Sequence, residues 1–260
     1  MSKELVESCK NDDRKKLHIL LNQKRIRKLI NKDVDGIYPM VAACKHAQSE
    51  IVESLIECGA RIDVQDHYGF PIYYAVASHK DALAKVKSLL QKDLTQLEVR
   101  NVDDETPLVV SLGKMPTGWE GILEPDIFKY ILSLKPDVRT PCNGDLPIHI
   151  AASLGYGYCA KDILEYDYYG VCDRGKLGLP PINLVVEYQP GCMNLGQCYD
   201  PNICAKIIRK MMFKKGFYVQ PGPNPAAIVV VQNDTQNRME SLSLQENTSN
   251  VKSKSETELD

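Results

Sequence analysis

Five prolines frame this sequence. Pro39, Pro71, Pro107, Pro147 and Pro181 are spaced 32, 36, 40 and 34 residues apart. Each sits inside one recurring phrase: GIYPMVAA (36–43), YGFPIYYA (68–75), DETPLVVS (104–111), GDLPIHIA (144–151) and GLPPINLV (178–185). Proline has a fixed φ and lacks an N–H, so it suits the first turn of a helix, where that donor has no partner within the helix. A short apolar run follows each proline, which predicts five short helices opened in the same way.

A second apolar run at helical spacing follows each first one. In residues 33–65, Ile51, Val52, Leu55 and Ile56 make one stripe, and Gly59 allows the left-handed residue that ends the helix. The same stripe returns at Val86/Leu89/Leu90, Ile127/Ile131/Leu132, Ile163/Leu164 and Ile203/Ile207/Ile208. Two short helices joined by a tight turn cannot bury their apolar faces alone. A repeat of this period therefore implies stacked units that shelter one another.

With the prolines and paired helices in register, residues 3–216 resemble an ankyrin-repeat protein, whose unit of about 33 residues opens its first helix with T-P-L-H. Only Thr106 keeps the threonine and only His149 the histidine. The resemblance implies an all-α solenoid of helix-turn-helix units with finger hairpins between them. The expected divisions are an N-terminal capping half-repeat (1–32), repeats at 33–65, 66–100, 101–140, 141–172 and 173–218, and a disordered tail (219–260). It also implies that His149 bonds backbone in the adjoining turn.

Charge and cysteines narrow the class. The net charge of −2 selects no partner, and no run near 18 apolar residues predicts a membrane span. Neither does a basic start lead into an apolar stretch, so secretion is not expected. The nine cysteines form no C-x-x-C pair, and Cys9 and Cys44 fall where the repeat wants a small buried residue, so reduced thiols in the cytoplasm or nucleus are expected. Residues 1–32 carry ten Lys/Arg against four Asp/Glu, including Lys24-Arg25-Ile26-Arg27-Lys28. A solvated cap explains this run sufficiently. An import signal, or a patch for nucleic acid or anionic lipid, is the sharper alternative, and the absence of aromatic residues in the segment weighs against base stacking.

No enzyme motif is present: no phosphate-binding glycine loop, no G-x-S-x-G elbow, no H-E-x-x-H helix. The spacing of Cys192, Cys198 and Cys204 is too wide for a zinc site, so neither metal nor cofactor is expected. The chain reads as a monomeric, non-enzymatic adaptor for a protein partner, with no nucleic acid or membrane involved. The alternatives are an inhibitor-type regulator of a transcription factor or signalling protein, and a fragment of a larger scaffold. By resemblance, the partner surface comprises Val34, Asp35, Ile37, Lys45 and His46, then Val102, Asp103 and Glu105, then Asn143 and Asp145. His67 and Tyr68 are expected at a finger tip. Trp119, in the inserted segment 113–121, and Tyr166 and Tyr168 are added on their own chemistry, as large side chains suited to interfaces. A second insertion spans 189–199, and Ile228–Val231 could dock as a strand.

Overall fold

A computed structural model of the chain describes residues 1–113, 125–185, 201–214, 216–221 and 228–232. Its helices come in pairs: α1 (Ser2–Lys10) with α2 (Arg14–Leu21), α3 (Pro39–His46) with α4 (Ser49–Glu57), and α5 (Pro71–Val76) with α6 (Ala82–Lys92). Next come α7 (Pro107–Val110) with α8 (Pro125–Ser133), and α9 (Pro147–Ser153) with α10 (Gly157–Tyr166). The first helices pack in the order α1, α3, α5, α7, α9, and the second helices in the order α2, α4, α6, α8, α10, followed by α11 (Pro201–Lys214). The result is two parallel rows with the core between them, a helical solenoid.

The prolines occupy equivalent places. Pro39, Pro71, Pro107 and Pro147 each begin an α-helix. The residue before each is held extended, from Tyr38 at ψ 146° to Thr106 at ψ 161°, because the proline ring excludes the helical region for its predecessor. Pro181 differs: it opens a single 3₁₀ turn, Pro181–Leu184. The third first helix is also shorter than the apolar run to Leu112 suggests, ending at Val110. Gly113 then turns the chain at φ +79°.

Each unit contributes one layer of core. Met40, Val41, Ala43 and Cys44 from α3 meet Ile51, Val52 and Leu55 from α4, all nearly solvent-free. Burial of side chains of the Val/Leu/Ile class is worth about 1.5–3 kcal/mol each, so one layer outweighs the modest helical propensity of eight- and nine-residue helices. At the N-terminus α1 buries Leu5, Val6 and Cys9 and leaves Lys3 and Glu4 in solvent, the asymmetry expected of a cap.

The C-terminal region departs from expectation. Residues 219–221 and 228–232, expected in a disordered tail, belong to a two-stranded antiparallel hairpin, β1 (Phe217–Pro221) with β2 (Ile228–Gln232), in which Val219 pairs with Val230. The β-branched run 228–231 supplies the strand propensity. Trp119, Cys192, Cys198 and the residues after Gln232 lie outside the described residues.

Candidate partner-binding surface

The fingers between helix pairs fold for local reasons. In the first, Asp35 (φ +54°) and Gly36 (φ +77°) are both left-handed, and Val34 pairs with Ile37 across them. Asn143 (φ +51°) and Gly144 (φ +81°) do the same between Cys142 and Asp145. Two consecutive left-handed residues make the primed turn that matches strand twist, and Asp-Gly and Asn-Gly are the sequences that tolerate it. The second finger is remodelled: the Asp66 carboxylate accepts from Tyr68 N at 2.9 Å and Gly69 N at 3.1 Å. In the third, Asn101 Oδ1 accepts from the N–H groups of Asp103 and Glu105 at 3.0 and 2.8 Å.

These turns bring most of the expected residues to one edge. Tyr68 is 53% exposed, with its ring 3.9 Å from that of His67, and Val102 on the next finger is 59% exposed. Asp35 is exposed, and Val34 and Ile37 are half-buried beside it. At the end of α3, Lys45 is half-buried, with its ammonium 5.8 Å from the centre of the Tyr74 ring, and His46 is exposed. Burial and then the nearby Lys45, Lys10, Lys85 and Lys80 hold the His46 imidazole below its usual range.

Glu105 is a correction. It was expected on the partner surface, but it is 3% exposed, its carboxylate accepts from Asn101 Nδ2 at 3.2 Å, and its carbonyl accepts from the Tyr73 hydroxyl at 2.9 Å. The finger folds around this side chain, and a partner cannot reach it.

Asp103, Asn143 and Asp145 sit at the edge but serve as ties between fingers. Asn143 donates its amide to the Asp103 carbonyl and its backbone N–H to Asp104 Oδ2 at 3.1 Å. Asp145 accepts from Lys176 N at 3.0 Å, with the Lys176 ammonium 3.4 Å away. Tyr166 is 43% exposed and leans its hydroxyl on the Pro136 carbonyl at 3.3 Å, while Tyr168 is half-buried and stacked on Tyr169 at 4.2 Å. These two tyrosines stand at the end of α10, apart in the chain from the finger tips.

Two buried groups went unnoticed in the sequence. Tyr73 stands two residues after its proline, as His149 does after Pro147. Its hydroxyl donates to the carbonyls of Val99 (2.6 Å) and Glu105 (2.9 Å). His149 makes the corresponding tie: Nδ1 accepts from Leu146 N at 3.2 Å and Nε2 lies 2.9 Å from the Asp173 carbonyl. The position after the proline could have revealed this exchange of phenol for imidazole. Lys85 is fully buried, donating to Cys44 O at 3.1 Å and Ser78 Oγ at 2.7 Å, and burial lowers its pKa. Nothing in its apolar-spaced helix signals a sequestered cation.

The Cys9 and Cys44 thiols are pushed up to about 12, chiefly by burial, which leaves little thiolate near neutrality. Among the described residues no group of three or more His, Cys, Asp or Glu side chains could hold a metal ion, and no helix is long and apolar enough to cross a membrane. Compared with known families, residues 5–101 match the model described as ankyrin repeats, in three copies. No curated protein matches the chain.

Proposed function

Because this chain is an ankyrin-repeat protein, we propose that it is a non-enzymatic adaptor that holds a protein partner on its finger tips and the adjoining ends of its first helices. Ankyrin repeats are generally protein–protein interaction modules, and that general role is the premise of the reading. The observation that carries it is the pairing of Tyr68 and Val102, two large apolar side chains held in water on neighbouring fingers. Tyrosine at such a place offers stiff amphipathic area, the kind that anchors interfaces. On the preceding unit, exposed Asp35 and His46 and half-buried Lys45 would add polar contacts. Three or four adjacent units offer enough surface for an ordinary interface, roughly 800 Å² on each side.

The proposal places the chain in the cytoplasm as a monomer that acts through what it binds. Its test is proximity labelling with the intact chain, run beside Tyr68→Ala/Val102→Ala. Proteins labelled by the wild type and lost in the double variant, at unchanged melting temperature, are the expected result. An identical labelled set from both chains would remove the finger tips from the proposal.

A further inference from the structure

Ion pairs hold some of the cations in place: Arg61 with Asp63, Lys80 with Asp12, Arg100 with Asp104, Arg139 with Asp167 and Asp173, Lys161 with Glu165, Lys176 with Asp145. In the N-terminal unit Lys10 pairs with Glu7 and Arg14 with Glu50. Lys15, Lys16, Lys24, Arg25, Arg27 and Lys28 are all exposed, and none makes an ion pair among the described residues. Residues 1–32 carry ten Lys/Arg against four Asp/Glu, so this end is locally cationic in a chain whose net charge is −2.

They are also held in place. The chain leaves α2 at Asn22, turns through Gln23, and enters a 3₁₀ turn, Ile26–Lys28, whose Ile26 is fully buried. Ile26 and Ile30 fix the turn from below, so Lys24, Arg25, Arg27 and Lys28 stand on a rigid support. Beside them, between α2 and α4, lies a groove of about 750 Å³ whose apolar lining includes Leu17, Ile19, Leu21 and Ile51. Ile19 is 64% exposed on its lip. Arg14 and Lys15 line the α2 side, Glu50 and Glu57 the α4 side, and the Arg14–Glu50 pair at 3.1 Å ties the two sides together.

We propose that this surface docks an acidic peptide segment of a protein partner, its carboxylates on the α2 side and the 24–28 turn, and an apolar side chain in the groove against Ile19. The site lies on the second-helix row, so it is separate from the fingers and stands or falls independently of them. A row of unpartnered cations attracts a polyanion. The recessed apolar groove selects a peptide over a flat anionic bilayer, and the lack of any aromatic residue in 1–32 leaves nothing to stack on a base. Glu50 and Glu57 repel carboxylates from the far side, which fixes the side the acidic residues take.

The experiment is fluorescence anisotropy of the intact chain with a labelled peptide of about 14 residues, rich in Glu and Asp with leucine at helical spacing. A second peptide replaces every acid by its amide. The acidic peptide should bind and weaken about tenfold between 50 and 200 mM salt, as exposed charge contacts do, and the amide peptide should bind at least tenfold less tightly. Lys24→Gln/Arg25→Gln/Arg27→Gln/Lys28→Gln should weaken the acidic peptide about tenfold, several exposed pairs each contributing little. Ile19→Asp should also weaken it, whereas Tyr68→Ala should not. These sites are exposed, so circular dichroism melts should match the wild type. Equal binding of the amide peptide, or undiminished binding by the quadruple variant, overturns the proposal. So does tighter binding of a 14-nucleotide single strand or of phosphatidylserine vesicles at the same salt.

Discussion

Replacing Tyr73 by phenylalanine isolates the tie between the second unit and the third finger. The ring is 7% exposed, and its hydroxyl lies 2.6 Å from the Val99 carbonyl and 2.9 Å from the Glu105 carbonyl. Phenylalanine keeps the packing and removes only the donor. The Glu105 carbonyl retains a bond from Asn101 N at 3.1 Å, so Val99 O is the acceptor that loses most. A lost neutral hydrogen bond costs about 0.5–1.5 kcal/mol, and a buried acceptor left without a donor up to about 3 kcal/mol. A total near 2 kcal/mol is expected, because Val99 is only half-buried. In a chain of this size that lowers the melting temperature by roughly 4–8 °C. Hydrogen exchange should locate the effect at the amides of Asn101 and Glu105. Tyr68→Phe, on the exposed finger tip, serves as control and should stay within about 0.5 kcal/mol. If Tyr73→Phe melts within 1 °C of wild type, by the same order-of-magnitude scale, and those amides exchange no faster, the hydroxyl does not hold the finger.

Four further outcomes follow from the geometry. Burial holds the His149 pKa below its ordinary value, so between that lowered value and about 6.5 the unfolded chain binds the extra proton. Its contribution to stability is therefore whole above that window and lost as pH falls through it, and His149→Phe should show a shallower decline in melting temperature from pH 7 to 5 than wild type. Lys85→Met removes a buried charge while nearly conserving volume and should change stability by no more than about 1 kcal/mol, whereas Lys85→Ala adds a cavity and should cost at least about 2 kcal/mol; denaturant titration separates the two. A Cβ on Gly157 would stand 3.0 Å from the backbone N and Cα of Cys204, so Gly157→Ala should loosen α11 by about 1–3 kcal/mol, visible as faster exchange in residues 204–214. Cys9 and Cys44, with pKa values near 12, should resist iodoacetamide at pH 8 until the chain is unfolded, as mass spectrometry would show.

The proline frame and helix stripes were legible because both are local: proline dictates the conformation of its predecessor, and apolar spacing dictates which face is buried. The cap was legible for the same reason, in Leu5, Val6 and Cys9 set against charged neighbours. The finger residues were less so. Asp35 and Glu105 look alike as polar finger residues, yet one is exposed and the other is enclosed by Asn101 and Tyr73 from 4 and 32 residues away. Burial of a carboxylate is set by what folds over it. Lys85 went unread for the same reason, since the Cys44 carbonyl that receives it is 41 residues distant. The hairpin after Gly216 was read only as a strand at 228–231, because its other half, FYVQP, carries no alternating pattern of its own.

Asp12, in the turn between α1 and α2, lends one carboxylate oxygen to Gln48 N at 3.0 Å and the other to the Lys80 ammonium at 3.2 Å. The first contact joins adjacent units, but the second, 68 residues away in sequence, skips the unit between. Asp81, at the matching turn two units later, lends its own oxygen to Ser49 N at 3.3 Å, so the start of α4 is roofed from both sides. A solenoid whose layers touch only their immediate neighbours can be lengthened, shortened or reshuffled like beads on a string. Here that freedom is lost at the amino end: excising one of the first three units strips a roof from another, so their sequence of stacking is a fixed triplet.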